Sequence, residues 1–348
     1  MIALARYAEA NTVTRAMLSD LLSTSDYDAL IRTSTLAEAW NYLRKTAYAP
    51  VLFDHPSDGP APLEHAIRTA CALRFKRSIA RLHGRARPVA QLLLSRWDLD
   101  NLEFALRHWH GNDRQAGHIK ALPSFADAIS YEGILNAGSL GEVLAAVQDT
   151  PYADPIALSA SEYKQKQSIF FVEIALEKDY YRRLLLATSK LWGPDARDGL
   201  AALGAEIDAL NLSWLGRLLQ SKQVESGELS SVLIPGPSPL TRRLTHKSAS
   251  PSDLQQLHTD FAGRFLPVQR DTDTEIQRLG MLEDAVRAMA VEYAQRALGR
   301  YPFRISTVFA CYVLLRAEMK NLCTVLAGKS AGYSEHEFHS RLLMVRRS

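Results

Sequence analysis

Asp98-Leu99-Asp100-Asn101-Leu102 lies inside an amphipathic run, residues 86 to 110, and puts an asparagine where leucine, alanine or glutamate would be more comfortable. Asparagine in a helix interior costs roughly half a kcal/mol relative to alanine, because its amide competes for backbone hydrogen bonds. The same compromise returns twice. Asp208-Ala209-Leu210-Asn211-Leu212 and Glu318-Met319-Lys320-Asn321-Leu322 keep the order acid-x-x-Asn-Leu, at two intervals of 110 residues. Self-similarity at a fixed long period determines architecture ahead of any local propensity.

Other marks keep step. Glu64, Glu173 and Glu283 lie 34, 35 and 35 residues ahead of the respective acid. Earlier still come short helices with capping signals: Thr35 with Glu38, Ser139 with Glu142, and Ser250 with Asp253, the last with Pro251 at the first helical position. The first two of these hairpins end alike, in Thr46-Ala-Tyr48 and Thr150-Pro-Tyr152, while the third keeps only Phe265 as a remnant.

Apolar residues spaced by three and four run through 63 to 83, 86 to 110, 161 to 191, 196 to 221, 271 to 298 and 303 to 327, and sustained two-residue alternation is hard to find. The chain therefore reads as all-α, with breaks at VLFDHPSDGPAP, GNDRQAGHIKALPS and LIPGPSPL. Three similar helical units are expected, at 1–124, 125–234 and 235–348. Each is a short hairpin, a long helix, and a long antiparallel partner bearing the acid and the asparagine. Three residues apart, that pair shares one helix face at about 60° around the axis, so both members reach the same neighbour. Asp98, Asn101, Asp208, Asn211, Glu318 and Asn321 are thus expected to be structural latches, paired with backbone groups of an adjoining segment, since a half-satisfied buried amide is costly.

Bulk properties exclude several classes. With 348 residues, 47% hydrophobic, 23% charged and a net charge of +3, the chain has ample material for a core and no polyelectrolyte character, so bulk attraction to nucleic acid is not indicated. Cys71, Cys311 and Cys323 are odd in number and lack metal-ligand spacing, which points to a reducing compartment. Arg6 and Glu9 interrupt any signal-peptide core, and the apolar run 305 to 315 is far short of the ~18 residues a membrane span needs.

Candidate chemistry dissolves on inspection. Gly328-Lys329-Ser330 resembles the tail of a phosphate loop, but Cys323 stands where its first glycine belongs and a helix precedes it; Gly328 reads more simply as a helix cap, with Lys329 at the negative end of the dipole. His336-Glu337-Phe338-His339 is one residue short of a zinc motif, and Ser334 with Glu337 forms a capping box instead. His108 and His110, like Asp98 and Asp100, are two apart and point to different faces, which disfavours a shared metal. No cofactor, metal or catalytic group is indicated. Arg74, Arg77, Arg81 and Arg85 follow three-and-four spacing; the stripe is either a plain solvated face or a contact for acidic headgroups or an acidic partner.

With the repeat established, the chain resembles the C subunit of the bacterial and archaeal V-type (A-type) ATPases and ATP synthases, the homologue of the d subunit of eukaryotic vacuolar ATPases. The resemblance is carried by LAEAWNYLRKTAY at 36 to 48 and its copy LGEVLAAVQDTPY at 140 to 152, by the three acid-x-x-Asn-Leu segments, by LIPG at 233 to 236, by LLSTSDYDALIRTSTLAEA at 21 to 39, and by the run from Tyr301 to Phe338. Departures exist: Gly216 interrupts the second repeat, and Ala327 stands in the third where Arg107 and Arg217 stand in the first two. The resemblance implies three units in pseudo-threefold arrangement, forming a funnel with a central cavity. It implies a non-catalytic rotor subunit without nucleotide, a socket that couples the central stalk subunits D and F to the membrane proteolipid ring for proton or other ion transport. Its place would be the cytoplasmic face of the cell membrane, peripheral, with contact to the membrane surface. The alternative is a helical-repeat adaptor unrelated to rotary ATPases, which usually builds an open array of many short repeats instead of three long ones.

Overall fold

Gln167 adopts a left-handed conformation with φ 49° and ends one helix three residues before the next begins. The periodicity predicts one continuous helix over 161 to 191, whereas the chain forms two, because a single left-handed residue redirects the backbone without disturbing apolar spacing. The computed structural model describes residues 2–52, 60–112, 122–221, 232–246 and 275–343. The capping residues 250 to 253, Phe265 and the side chain of Arg217 lie outside the described residues. Among those described, every regular element is a helix, as the periodicity predicts, and no helix is long and apolar enough to cross a membrane.

The first part of the chain folds as α1 (Ile2–Ser19), the hairpin α2 (Thr24–Arg32) and α3 (Leu36–Leu43), a single turn α4 (Ala49–Leu52), and the long helices α5 (Pro60–Ile79) and α6 (Ala86–His110). The hairpin recurs as α7 (Tyr131–Asn136) and α8 (Leu140–Ala146), followed by α9 (Ala153–Lys166) and the long α10 (Phe170–Ser189) and α11 (Pro194–Ser221). Then come α12 (Pro239–His246), the long α13 (Glu275–Leu298) and α14 (Ile305–Ala331), and α15 (Glu335–Arg341). Thr35 and Ser139 accept the backbone N–H groups of Glu38 and Glu142, as their spacing predicts. Both hairpins end on the same local turn, in which the Thr46 and Thr150 hydroxyls take the N–H of Tyr48 and Tyr152, each at 3.3 Å. Ser334 and Glu337 form the predicted capping box at α15.

One cap is corrected. The helix α14 continues past Gly328 and ends at Gly332, whose φ is 73°. Gly328 is needed for a different reason: a Cβ there would stand 2.3 Å from the Phe338 ring, so glycine lets α15 lie against α14. Lys329 meets the negative end of another helix, donating to the carbonyls of Ile31 at 3.2 Å and Thr33 at 2.5 Å where α2 stops.

Short turns fold each pair of long helices back on itself, so α5 packs on α6, α10 on α11 and α13 on α14. Between pairs the order is cyclic: α6 packs on α10, α11 on α13, and α14 returns to α5. The return contact is sealed by Phe75 of α5, Trp97 of α6 and Tyr312 of α14, whose ring centroids lie 5.5 to 5.8 Å apart. All three are buried, and each contributes roughly 2 to 3 kcal/mol of apolar burial.

Candidate functional site

The six polar residues of the repeat are buried, and each meets backbone. Asn101 donates to Pro123 O at 3.2 Å, Asn211 exchanges two hydrogen bonds with the backbone of Ile234 at 2.8 and 2.9 Å, and Asn321 does the same with Leu343 at 2.7 and 2.8 Å. The partner is 22, 23 and 22 residues downstream in turn. The acids reach further. Asp98 accepts the N–H groups of Phe125, Ala126 and Asp127, at 2.7, 2.7 and 3.0 Å, just ahead of α7. Asp208 accepts the Thr241 N–H at 3.0 Å and the hydroxyls of Thr241 and Ser238 at the start of α12. Glu318 accepts the Leu22 N–H at 2.6 Å, just ahead of α2 at the other end of the chain, with the Tyr48 hydroxyl at 2.6 Å and Arg74 at 3.2 Å. Asp98 and Asp208 thus hold segments that follow their own helices in the chain, and Glu318, on the last long helix, holds the segment ahead of the first hairpin. Burial pushes the Asp98 carboxyl up to about 6 against the pull of its three N–H donors, and raises Asp208 and Glu318 as well.

A second polar system runs side chain to side chain. Arg96 of α6 forms a bidentate pair with Glu177 of α10 and also holds Asp100, while Asp100 receives Arg316 of α14 from its other side. Burial alone would push the Asp100 carboxyl up, but Arg316 and Arg96 outweigh it and hold it well below the usual range. Arg107 donates to Glu173 at 2.5 Å and lies 3.5 Å from Glu103. Glu103 is buried, with Glu177 and Glu173 close by, and both effects raise its pKa well above a normal carboxyl. Tyr312 of α14 donates to Glu206 of α11 at 2.7 Å. The spacing argument against a shared metal fits this geometry, since Asp98 faces backbone and Asp100 faces two arginines.

Asp100, Glu103, Arg107, Glu206 and Arg316 of this system face a cavity of about 690 Å³ to which each long-helix pair contributes, the second through α11 alone, with Arg68, Ala209 and Arg287 also on its wall. The departure in the third repeat lies on this wall. Arg107 meets Glu173 where α6 faces α10, and at the corresponding place where α14 faces α5, Ala327 and Glu64 line the cavity without that pairing. Burial pushes the Glu64 carboxyl up.

The four arginines of the stripe divide. Arg74 turns inward to Glu318 and the Met17 carbonyl, with a side chain only 11% exposed, so it does not share a surface with the other three. Arg77, Arg81 and Arg85 are exposed; Arg81 pairs with Glu9, and Arg85 reaches Lys190 O. Three-and-four spacing places residues on one face but does not say that α1 covers part of that face. Burial pushes the thiols of Cys71, Cys311 and Cys323 up to about 12, 11 and 11, which removes them as thiolate nucleophiles at neutral pH. No group of three metal-ligating side chains occurs among the described residues.

The arginine-carboxylate system was missed in the sequence because its partners lie 81 and 216 residues apart and no local spacing links them. The available signal was the pair Asp98 and Asp100: if one faces a latch, the other faces a different wall.

Comparison with known proteins gives a consistent result. The profile of the ATP synthase (C/AC39) subunit family matches residues 10–341. The chain is 23% identical over 335 residues to the C subunit of the A-type ATP synthase of Archaeoglobus fulgidus, covering 95% of this chain and 94% of that one. It is 23% identical over 322 residues to the same subunit of Pyrococcus horikoshii, covering 92% and 85%, and 22% identical over 338 residues to that of Haloferax volcanii, covering 95% of each.

Proposed function

Since this chain belongs to the ATP synthase (C/AC39) subunit family, we propose that it is the non-catalytic rotor socket of an A/V-type ATP synthase, coupling the central stalk subunits D and F to the membrane proteolipid ring. The observation that carries this reading is the cyclic packing of three long-helix pairs around a charged cavity, closed by the grip of Glu318 on Leu22. A part that transmits rotation must resist shear between its units, and a closed circuit resists where an open array would splay. Units at 1–124, 125–234 and 235–348 then form a pseudo-threefold funnel, with the six latch residues fixing each hairpin to its neighbour. The chain sits peripherally at the cytoplasmic face of the membrane, as part of a membrane complex. Membership in the family also removes the ground for an unrelated adaptor.

The test is reconstitution. A complex assembled without this chain is expected to keep ATP hydrolysis in its soluble head and lose ion pumping, and the tagged chain is expected to co-purify with D, F and proteolipid. Pumping that stays coupled in its absence overturns the reading.

A further inference from the structure

The turns that join the long helices, residues 80–85, 190–193 and 299–304, meet at one end of the molecule. Arg85 ties the first to the second: it donates to Lys190 O at 2.9 Å and lies 5.3 Å from the Trp192 ring centroid. Asp195 and Asp198 tie the second to the third, accepting the Ile305 N–H at 3.1 Å and pairing with Arg304 at 3.5 Å. Helix α1 threads the same end, with Arg15 on Leu298 O at 2.6 Å and the Tyr7 hydroxyl on Asp195 at 2.7 Å. Gly84 and Gly193, with φ of 61° and 45°, make the tight reversals that bring these tips out.

The tips are unlike the rest of the surface. Segments 80–88, 189–198 and 298–304 hold seven arginines and lysines against two aspartates, an excess of five positive charges in a chain whose total is only +3. Both aspartates are already engaged within the end. Among the cations stand large apolar side chains turned to solvent: Trp192 is 66% exposed, Tyr301 52% and Leu186 51%. Tryptophan and tyrosine beside arginine and lysine match the layered chemistry of a headgroup region, where amphipathic rings enter and cations meet phosphate. Trp192 and Tyr301 stand on two different turns, each with cations beside it, Lys190 with the one and Arg300 and Arg304 with the other, a dispersed arrangement that suits many small anionic headgroups.

We propose that this end is an anionic-lipid contact, with Arg87, Lys190 and Arg300 supplying the attraction and Trp192 and Tyr301 entering the headgroup layer. It rests on the rotor reading only for placing the chain beside a membrane. The test uses the full-length chain and vesicles of phosphatidylcholine with or without phosphatidylglycerol. Co-sedimentation is expected with the anionic vesicles alone, weakening as salt shortens the screening length. Arg87→Glu/Lys190→Glu/Arg300→Glu is expected to lose about a hundredfold in partitioning. The charge-matched Arg32→Glu/Lys45→Glu/Lys164→Glu, on exposed positions away from the tips, should lose far less. A blue shift of tryptophan emission on binding should vanish in Trp192→Phe. Absence of anionic-vesicle binding at low salt, or equal loss in both triple variants, overturns the proposal. So does a tip variant that still binds vesicles but no longer joins the complex, which would make the surface a contact for an acidic protein. A chain that assembles with stalk and ring yet ignores vesicles sinks only this inference; one that binds vesicles and never assembles sinks only the rotor reading.

Discussion

The first and third acidic grips occupy the same place in the repeat and differ in what they join. Asp98 holds three N–H groups 27 to 29 residues downstream, on a segment that the chain keeps nearby in any case. Glu318 holds Leu22, Tyr48 and Arg74, which are 296, 270 and 244 residues away. The first grip is a clasp on a local loop; the third closes the cycle, and it alone of the two has a cation opposite it. Contacts between distant segments carry the larger closure entropy, so their loss releases more chain. The ring is thus expected to open first at the return from α14 to α5, whatever the similarity of its parts.

Glu318→Ala gives the largest effect. It leaves Arg74 mostly buried and without its carboxylate, and it strands the Leu22 N–H and the Tyr48 hydroxyl; breaking a buried pair in this way costs about 3 to 5 kcal/mol. Denaturant unfolding with hydrogen exchange should show loss of protection around residues 20 to 30 together with the α14 and α5 contact. An Asp98→Ala loss equal to it, with the same spread of exchange, would abolish the distinction between clasp and closure.

The pH dependence probes the first grip by itself. The Asp98 carboxyl is raised to about 6 in the folded chain, above its ordinary value near 3.8, so the folded state binds the extra proton. Its contribution is fully present below about pH 4 and is lost as pH rises through 6. Asp98→Asn removes that titration, so the variant is expected to gain on the native chain between pH 4 and 6, by at most about 3 kcal/mol at roughly 1.4 kcal/mol per unit. Paired unfolding curves at several pH values measure the difference. A gap that does not change with pH would show that the three N–H donors cancel the cost of burial.

The asparagines test whether the repeat is the same device three times. Asn211→Ala leaves the buried N–H and C=O of Ile234 without their amide and is expected to cost about 1 to 3 kcal/mol, read as a fall in the denaturant midpoint at constant slope. Asn101, with one bond to Pro123, whose ring nitrogen has no proton to offer, should cost less. Equal losses would mean that the amides act through packing.

What could be read from the sequence follows from this design. The buried polar positions stood out because an asparagine at a fixed period costs a helix interior each time it recurs, and the all-α class followed from spacing. The hinge at Gln167 was not legible, since one residue in a left-handed conformation leaves apolar periodicity intact. Gly328 invited a cap assignment because helix-end glycines are common, while its use is to admit Phe338, a contact no local rule foresees. Arg74 looked like its three neighbours on the stripe until α1 and Glu318 covered it. Local rules capture what a residue does to its own backbone; the cavity wall is made by segments that meet only after folding.

The smallest effect sharpens the comparison at the chain's end. The stretch from Ser334 to Leu343 does for α14 what residues 122 to 123 and 232 to 234 do for the other two long helices: it presents a backbone to the asparagine. Here that backbone is carried by a seven-residue helix, too short to be stable alone, so its hold depends on the Ser334 cap, on Phe338 against Gly328, and on Asn321. Ser334→Ala removes the cap and is expected to cost about 1 kcal/mol, as faster hydrogen exchange confined to residues 335 to 343 with the global midpoint nearly unmoved. If exchange in α15 stays unchanged, Phe338 and Asn321 suffice without the cap. If instead the whole chain loses stability, the terminal helix takes part in ring closure, and the return from α14 to α5 begins further along the chain than Glu318 indicates.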